Sequence, residues 1–70
     1  MKYLVIIEQG ENSFGAYIPD LPGCVAAGES KEEVMRLIQE AVKFHLEGVQ
    51  KQGIPIPEPR SHAEVVGAGI

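Results

Sequence analysis

The stretch that decides the fold is "YIPDLPGCVAAGESKEEV", residues 17–34, which joins a strand to a helix through a tight connection. Proline fixes φ and glycine permits positive φ, so "PDLPG" (19–23) ends one strand. "CVAAGE" (24–29) predicts a short strand of small residues. Ser30 with Glu33 three residues later is the capping-box pattern that begins a helix. This one stretch therefore predicts strand, turn, strand and helix in that order.

The remaining elements follow from hydrophobic periodicity. The apolar positions that repeat at the helical period are Val34, Leu37, Ile38, Ala41, Val42, Leu46 and Val49. Gly53 followed by Pro55 is a stop signal, although Gly48 could end the helix a turn earlier. The predicted elements are strands at residues 2–9, 14–18 and 24–29, a helix from Ser30 to Gln52, a stiff proline-rich connector at 54–60 and a short fourth strand at 63–66.

This order predicts an α+β fold: an antiparallel sheet in the order β-β-β-α-β with one long helix on one face. We expect a single domain over residues 1–70, with a core unit at 3–66 and a tail at 67–70. The helix is longer than short strands, and the first strand carries apolar side chains on both faces. Because one helix covers only one face, we predict a homo-oligomer, either a dimer or a tetramer.

Composition narrows the function. The 70 residues carry a formal net charge of −4, which argues against direct nucleic-acid binding and suits a basic partner. A single cysteine cannot form an internal disulfide, and the apolar run at residues 3–7 is too short for a signal peptide or a membrane span. We therefore expect a cytoplasmic protein with no membrane partner.

Asp20 and Cys24 suggest an acid and a nucleophile, but a working cysteine needs a base or a positive neighbourhood. We favour a structural interpretation in which Pro19, Pro22 and Gly23 shape the turn. Asp20 would accept backbone hydrogen bonds there. Leu21 would anchor the turn inward, and Cys24 would begin a strand as a small apolar residue.

No spacing of histidine, cysteine or carboxylate residues predicts a metal site, a cofactor site or a catalytic set, so we expect a protein that is not an enzyme. His45 lies within the apolar stripe of the helix, where we expect a packed residue. If it lies at an interface between chains, it would make their assembly sensitive to pH.

The sequence as a whole resembles the HicB-like antitoxin family. The resemblance rests on the strand opening, "PDLPGC" (19–24), the capped helix with "EAVKFHLE" (40–47), and "GIPIPEP" (53–59). It implies a partial ribonuclease-H-like fold that binds and neutralises a small basic mRNA-cleaving toxin of a type II toxin-antitoxin system. Many members carry a C-terminal DNA-binding segment. Only twelve residues follow Glu58 in this sequence, so we do not expect operator binding.

Under this hypothesis the strand edges and acidic turns meet the toxin, and the candidate contacts are Glu8, Glu11, Tyr17 and Asp20. Two alternatives stay open. One is an orphan oligomeric module that binds a small ligand near His45 or another protein. The other is a metal-dependent enzyme that uses Asp20 and Glu8.

Overall fold

The computed structural model describes all 70 residues and contains three strands followed by one helix. The strands β1 (Ile6–Gln9), β2 (Phe14–Tyr17) and β3 (Val25–Gly28) form one antiparallel sheet in the order β1-β2-β3. The helix α1 (Lys31–Lys51) packs on β2 and β3. The predicted α+β class, with an antiparallel sheet and one long helix, is confirmed.

The strands are shorter than the sequence predicted. Ile6 pairs with Tyr17 at the end of the β1–β2 ladder, so residues 2–5 have no strand partner. Ile18 donates its N–H to the carbonyl of Cys24 at 3.2 Å, and Pro19, which would lie opposite Leu4, has no N–H to donate. The ladder therefore stops at Tyr17.

The predicted fourth strand at residues 63–66 is wrong, and the order is β-β-β-α rather than β-β-β-α-β. These residues are exposed and form no backbone hydrogen bond to the sheet, and Val65 is 99% exposed. A segment of high β-propensity forms a strand only where it can pair with the edge of a sheet. Residues 63–66 do not pair with an edge of this sheet.

Helix α1 begins and ends as its sequence signals indicate. Ser30 is the N-cap, and the helix continues through Gly48 to Lys51. At the other end Gly53 has a φ of +72° and donates its N–H to the carbonyl of Gln50. Ile54 donates to Val49 at 3.1 Å, which completes a Schellman motif.

The core lies between the helix and one face of the sheet. Six residues are buried, and they come from β2, the connection after it and the first half of α1: Ala16, Ile18, Leu21, Cys24, Val34 and Ile38. The 21-residue helix is about 31 Å long, whereas a four-residue strand spans about 13 Å. Its C-terminal half therefore extends beyond the sheet, and no residue after Ile38 is fully buried.

The connector after the helix returns along the molecule as an extended segment. The Tyr3 hydroxyl donates a hydrogen bond to the carbonyl of Pro57, and Asp20 binds the backbone at Arg60 and Ser61. The connector is thereby tied to the N-terminal segment and to the turn after β2. No helix in the structure combines the length and the apolar character needed to cross a bilayer.

Candidate functional site

The "PDLPGC" connection is closed by its own backbone. Leu21 donates its N–H to the carbonyl of Ile18, and Cys24 donates to the carbonyl of Leu21, both at 3.0 Å. Gly23 has a φ of +85°, a conformation that glycine adopts without steric cost. The Leu21 side chain is completely buried. This geometry gives the motif a packing function: it folds the chain back and places Leu21 in the core.

Asp20 acts as an acceptor for the connector. Its Oδ2 accepts the backbone N–H groups of Arg60 and Ser61, and its Oδ1 accepts the Ser61 hydroxyl, each at 3.0 Å. The backbone hydrogen bonds from Ser61 and Arg60 lower the pKa of the Asp20 carboxyl, because they stabilise its charged form. Both oxygens are thus engaged within the chain.

Cys24 is buried beside Leu21, and burial raises the pKa of its thiol. Since the thiolate is the nucleophilic form, this environment suppresses the reactivity that catalysis would require. No group of three or more His, Cys, Asp or Glu side chains comes together in the structure. Glu8 lies opposite Gly15 on β2, whereas Asp20 follows the other end of β2.

Gly28, which lies two residues before the helix cap Ser30, has a role that the sequence did not predict. The Ser30 hydroxyl accepts the N–H of Glu33 at 3.1 Å. The Glu33 carboxylate reaches back to the N–H of Glu29 at 2.9 Å, one residue before the N-cap. A Cβ on Gly28 would lie 2.5 Å from Glu33 Oε1. Because glycine has no Cβ, Gly28 leaves room for the Glu33 carboxylate.

The face of the sheet away from the helix is partly exposed. Ala16 is buried under the helix, and its neighbours in the ladders, Ile7 and Ala26, pack against the same core. Because side chains alternate along a strand, the next row points the other way. That row consists of Ile6, Tyr17 and Val25, one from each strand, and we call it the open-face row.

The open-face row is apolar and partly accessible, with Val25 64% and Tyr17 39% exposed. Glu8 lies opposite Gly15 in the adjacent row, and Glu11 follows in the β1–β2 turn. None of the three strands contains a lysine or an arginine. The surface therefore combines an apolar row with acidic side chains at one end. Tyr17, Glu8 and Glu11 were predicted contacts. Ile6 and Val25 were not among them, because only the strand register places them beside Tyr17.

His45 lies on the opposite side of the molecule. It lines a groove of about 430 Å³ between the second half of α1 and the turn at Gly23 and Cys24. Phe44 lines the same groove and is 80% exposed. The predicted site residues thus fall into three groups: those on the open sheet face, those that build the turn and the cap, and His45 in the helix groove.

These features define a small α+β protein whose sheet carries an apolar row with acidic side chains at one end. The family model described as "HicB_like antitoxin of bacterial toxin-antitoxin system" matches residues 3–68. The chain belongs to this HicB-like antitoxin family.

The chain is also similar to individual proteins of known sequence or structure. A UPF0150 protein of Thermoplasma acidophilum is 37% identical over 67 residues, which cover 94% of each chain. A 14.9 kDa protein of Haemophilus phage HP1 is 34% identical over 58 residues, which cover 83% of this chain but only 44% of the phage protein. A chain in the solved HicA3 and HicB3 toxin-antitoxin complex matches with a TM-score of 0.70 at 30% identity, covering 84% of this chain and 70% of that one.

Proposed function

We propose that this protein neutralises a small basic mRNA-cleaving toxin in the cytoplasm by binding it with the open sheet face, without catalysis of its own. The observation that carries the proposal is the apolar open-face row of Ile6, Tyr17 and Val25, in which Tyr17 and Val25 are exposed. Membership of an antitoxin family and the similarity to a toxin-antitoxin complex support a toxin as the occupant.

The composition of the surface suits such a partner. Aromatic side chains at the centre of an interface frequently dominate its binding energy, and Tyr17 lies in the middle strand between Ile6 and Val25. Glu8 and Glu11 at one end would attract and orient a basic protein during encounter. We therefore propose that the apolar row supplies most of the affinity for the toxin and that the two glutamates mainly increase the rate of association.

Asp20 has a structural role in this proposal. Its carboxylate already accepts hydrogen bonds from Arg60 and Ser61. We propose that it holds the connector rather than contributing directly to toxin affinity. The contact between Asp20 and a partner that the sequence predicted is untested, and this proposal does not depend on it.

The test begins with the full chain tagged and recovered from its native cells at low ionic strength. We expect a small basic protein in near-equal amount, released by high salt because long-range attraction between charged surfaces is screened. When expressed alone, the captured protein should arrest growth and cleave mRNA, and co-expression of the full chain should restore growth.

Two variants that each replace an exposed apolar residue with glutamate test which surface binds the toxin. Val25→Glu should abolish protection against the captured protein, because it places a charge within the apolar row. Phe44→Glu is the matched control, since Phe44 is also an exposed apolar residue but lies on the helix. Equal protection by both variants, or recovery of the chain with only its own copies, would contradict the proposal.

A further inference from the structure

The connector after the helix is attached to the rest of the protein by side chains alone. None of the hydrogen bonds between backbone groups involves a residue after Ile54. The attachments are the Tyr3 hydroxyl, which donates to the carbonyl of Pro57, and the Asp20 carboxylate, which accepts three hydrogen bonds from the far end of the connector. No ladder of backbone hydrogen bonds therefore holds this segment in place.

Apolar packing adds little to this attachment. The last residue along the chain that packs against the core cluster is Leu46, so no part of the connector belongs to that packing. Within the connector Ile56, Pro57 and Pro59 are only half-buried. Segments with few buried apolar contacts open at a lower free energy than the core of a protein. We therefore expect the connector to detach more easily than the sheet or the helix unfolds.

The local sequence makes the connector stiff and places a flexible residue before it. Pro55, Pro57 and Pro59 fix φ at every second position, so the segment stays extended whether or not it is attached. Gly53, two residues before Pro55, has a φ of +72°, and a Cβ there would meet nothing within 4 Å. The backbone at Gly53 therefore has the space and the conformational freedom of a hinge.

We propose that residues 55–61 form a strap that pivots near Gly53 and is latched at its far end by the Asp20 carboxylate. The strap detaches as a unit while the sheet and the helix stay folded. Asp20 Oδ2 accepts the N–H groups of Arg60 and Ser61, and Oδ1 accepts the Ser61 hydroxyl, each at 3.0 Å. One side chain thus makes three of the four hydrogen bonds that close the strap, and hydrogen bonds to an ionised group are stronger than neutral ones.

The latch determines where the end of the chain leaves the domain. Continuing the β1–β2 register places Asp20 opposite Tyr3, so both attachment points lie at the same end of the hairpin. The residues that follow the strap, including Val65 and Val66, are exposed. A closed strap holds the start of this tail at that end of the sheet, and an open strap lets the tail move away with it. Strap closure concerns the chain alone and is independent of the proposed toxin binding.

Limited proteolysis of the full chain with trypsin measures the open fraction of the strap. Trypsin cleaves after arginine, and the amide nitrogen of the Arg60–Ser61 bond is itself bound by Asp20 in the closed strap. Mass spectrometry identifies the product that lacks residues 61–70. Asp20→Asn should raise the initial rate of this cleavage about tenfold or more, which corresponds to about 1.4 kcal/mol. Ser61→Ala removes one of the three hydrogen bonds and should raise the rate about threefold. Glu47→Gln, the same chemical change at an exposed carboxylate on the helix, is the control and should leave the rate unchanged.

Amide hydrogen exchange of the wild type separates opening of the strap from unfolding of the whole domain. The Arg60 and Ser61 amides should exchange through an opening that urea does not affect, whereas the Cys24 amide should exchange through an opening that urea promotes. Circular dichroism shows whether each variant is folded, and Ser61→Ala decides the proteolysis result if Asp20→Asn does not fold.

Two results would overturn the proposal. One is cleavage after Arg60 at the same rate in the wild type and in the folded variants. The other is exchange of the Arg60 and Ser61 amides with the same free energy and urea dependence as Cys24, because the segment would then open only when the domain unfolds.

Discussion

Replacing Leu21 with alanine tests the structural interpretation of the "PDLPGC" motif. Leu21 is completely buried and packs in the same core cluster as Val34 and Ile38. Truncating a buried leucine removes its apolar contacts and leaves a cavity, at a cost of about 2–5 kcal/mol. Because the backbone bonds between Ile18, Leu21 and Cys24 restrict collapse of the turn, we expect a loss of about 3 kcal/mol.

That loss is large for a chain of this size. At about 0.05–0.15 kcal/mol per residue, 70 residues give a free energy of unfolding of roughly 3.5–10 kcal/mol. A loss of about 3 kcal/mol therefore removes roughly a third or more of the stability. In a domain of this length each kcal/mol shifts Tm by about 4–8 °C, so Leu21→Ala should lower Tm by roughly 12–24 °C.

Thermal and urea unfolding followed by circular dichroism measures the effect, at one fixed protein concentration because self-association would stabilise the fold. Leu21→Met conserves volume and should cost less than about 1.5 kcal/mol. Val25→Ala, at an exposed site, should change the stability by about 0.5 kcal/mol or less. A Leu21→Ala variant that keeps its Tm but loses toxin binding would refute the structural interpretation and make the motif a contact site.

Further predictions concern the cap, the connector and the thiol. Ser30→Ala should cost about 1 kcal/mol in urea unfolding through loss of the N-cap. Gly28→Ala should destabilise the helix start by displacing the Glu33 carboxylate, and an unchanged Tm would contradict this role. The pKa of Asp20 is lowered in the folded state, so its stabilising effect is present above the ordinary carboxyl pKa of about 4 and is lost as pH falls below it. Asp20→Asn should therefore flatten the acid limb of the stability–pH curve, and parallel curves would count against it. Cys24 should react with a thiol reagent only as fast as the protein opens, whereas rapid labelling of the native protein would show an accessible thiolate.

Local signals were sufficient for the elements whose causes are local. Ser30 and Glu33 specify the helix start, and Gly53 specifies its end through a backbone conformation that glycine adopts readily. The inward position of Leu21 also followed from the turn residues on either side of it. These features depend on residues within a few positions of one another.

Features that depend on distant parts of the chain were not predictable in the same way. The hydrogen bonds between Asp20 and Ser61 join residues separated by 41 positions, and no local pattern indicates them. The segment at residues 63–66 has the composition of a strand but meets no sheet edge. The open-face row exists only because the register places Ile6 and Val25 on either side of Tyr17.

The central claim is that the open sheet face binds a basic toxin, and amide chemical-shift mapping tests it most directly. The isotope-labelled full chain would be titrated with the basic protein captured from native cells. We predict that the largest shifts fall on Ile6, Glu8, Tyr17 and Val25, while Phe44 and its neighbours on the helix change little. Shifts concentrated on the second half of α1, with the three strands unaffected, would contradict it.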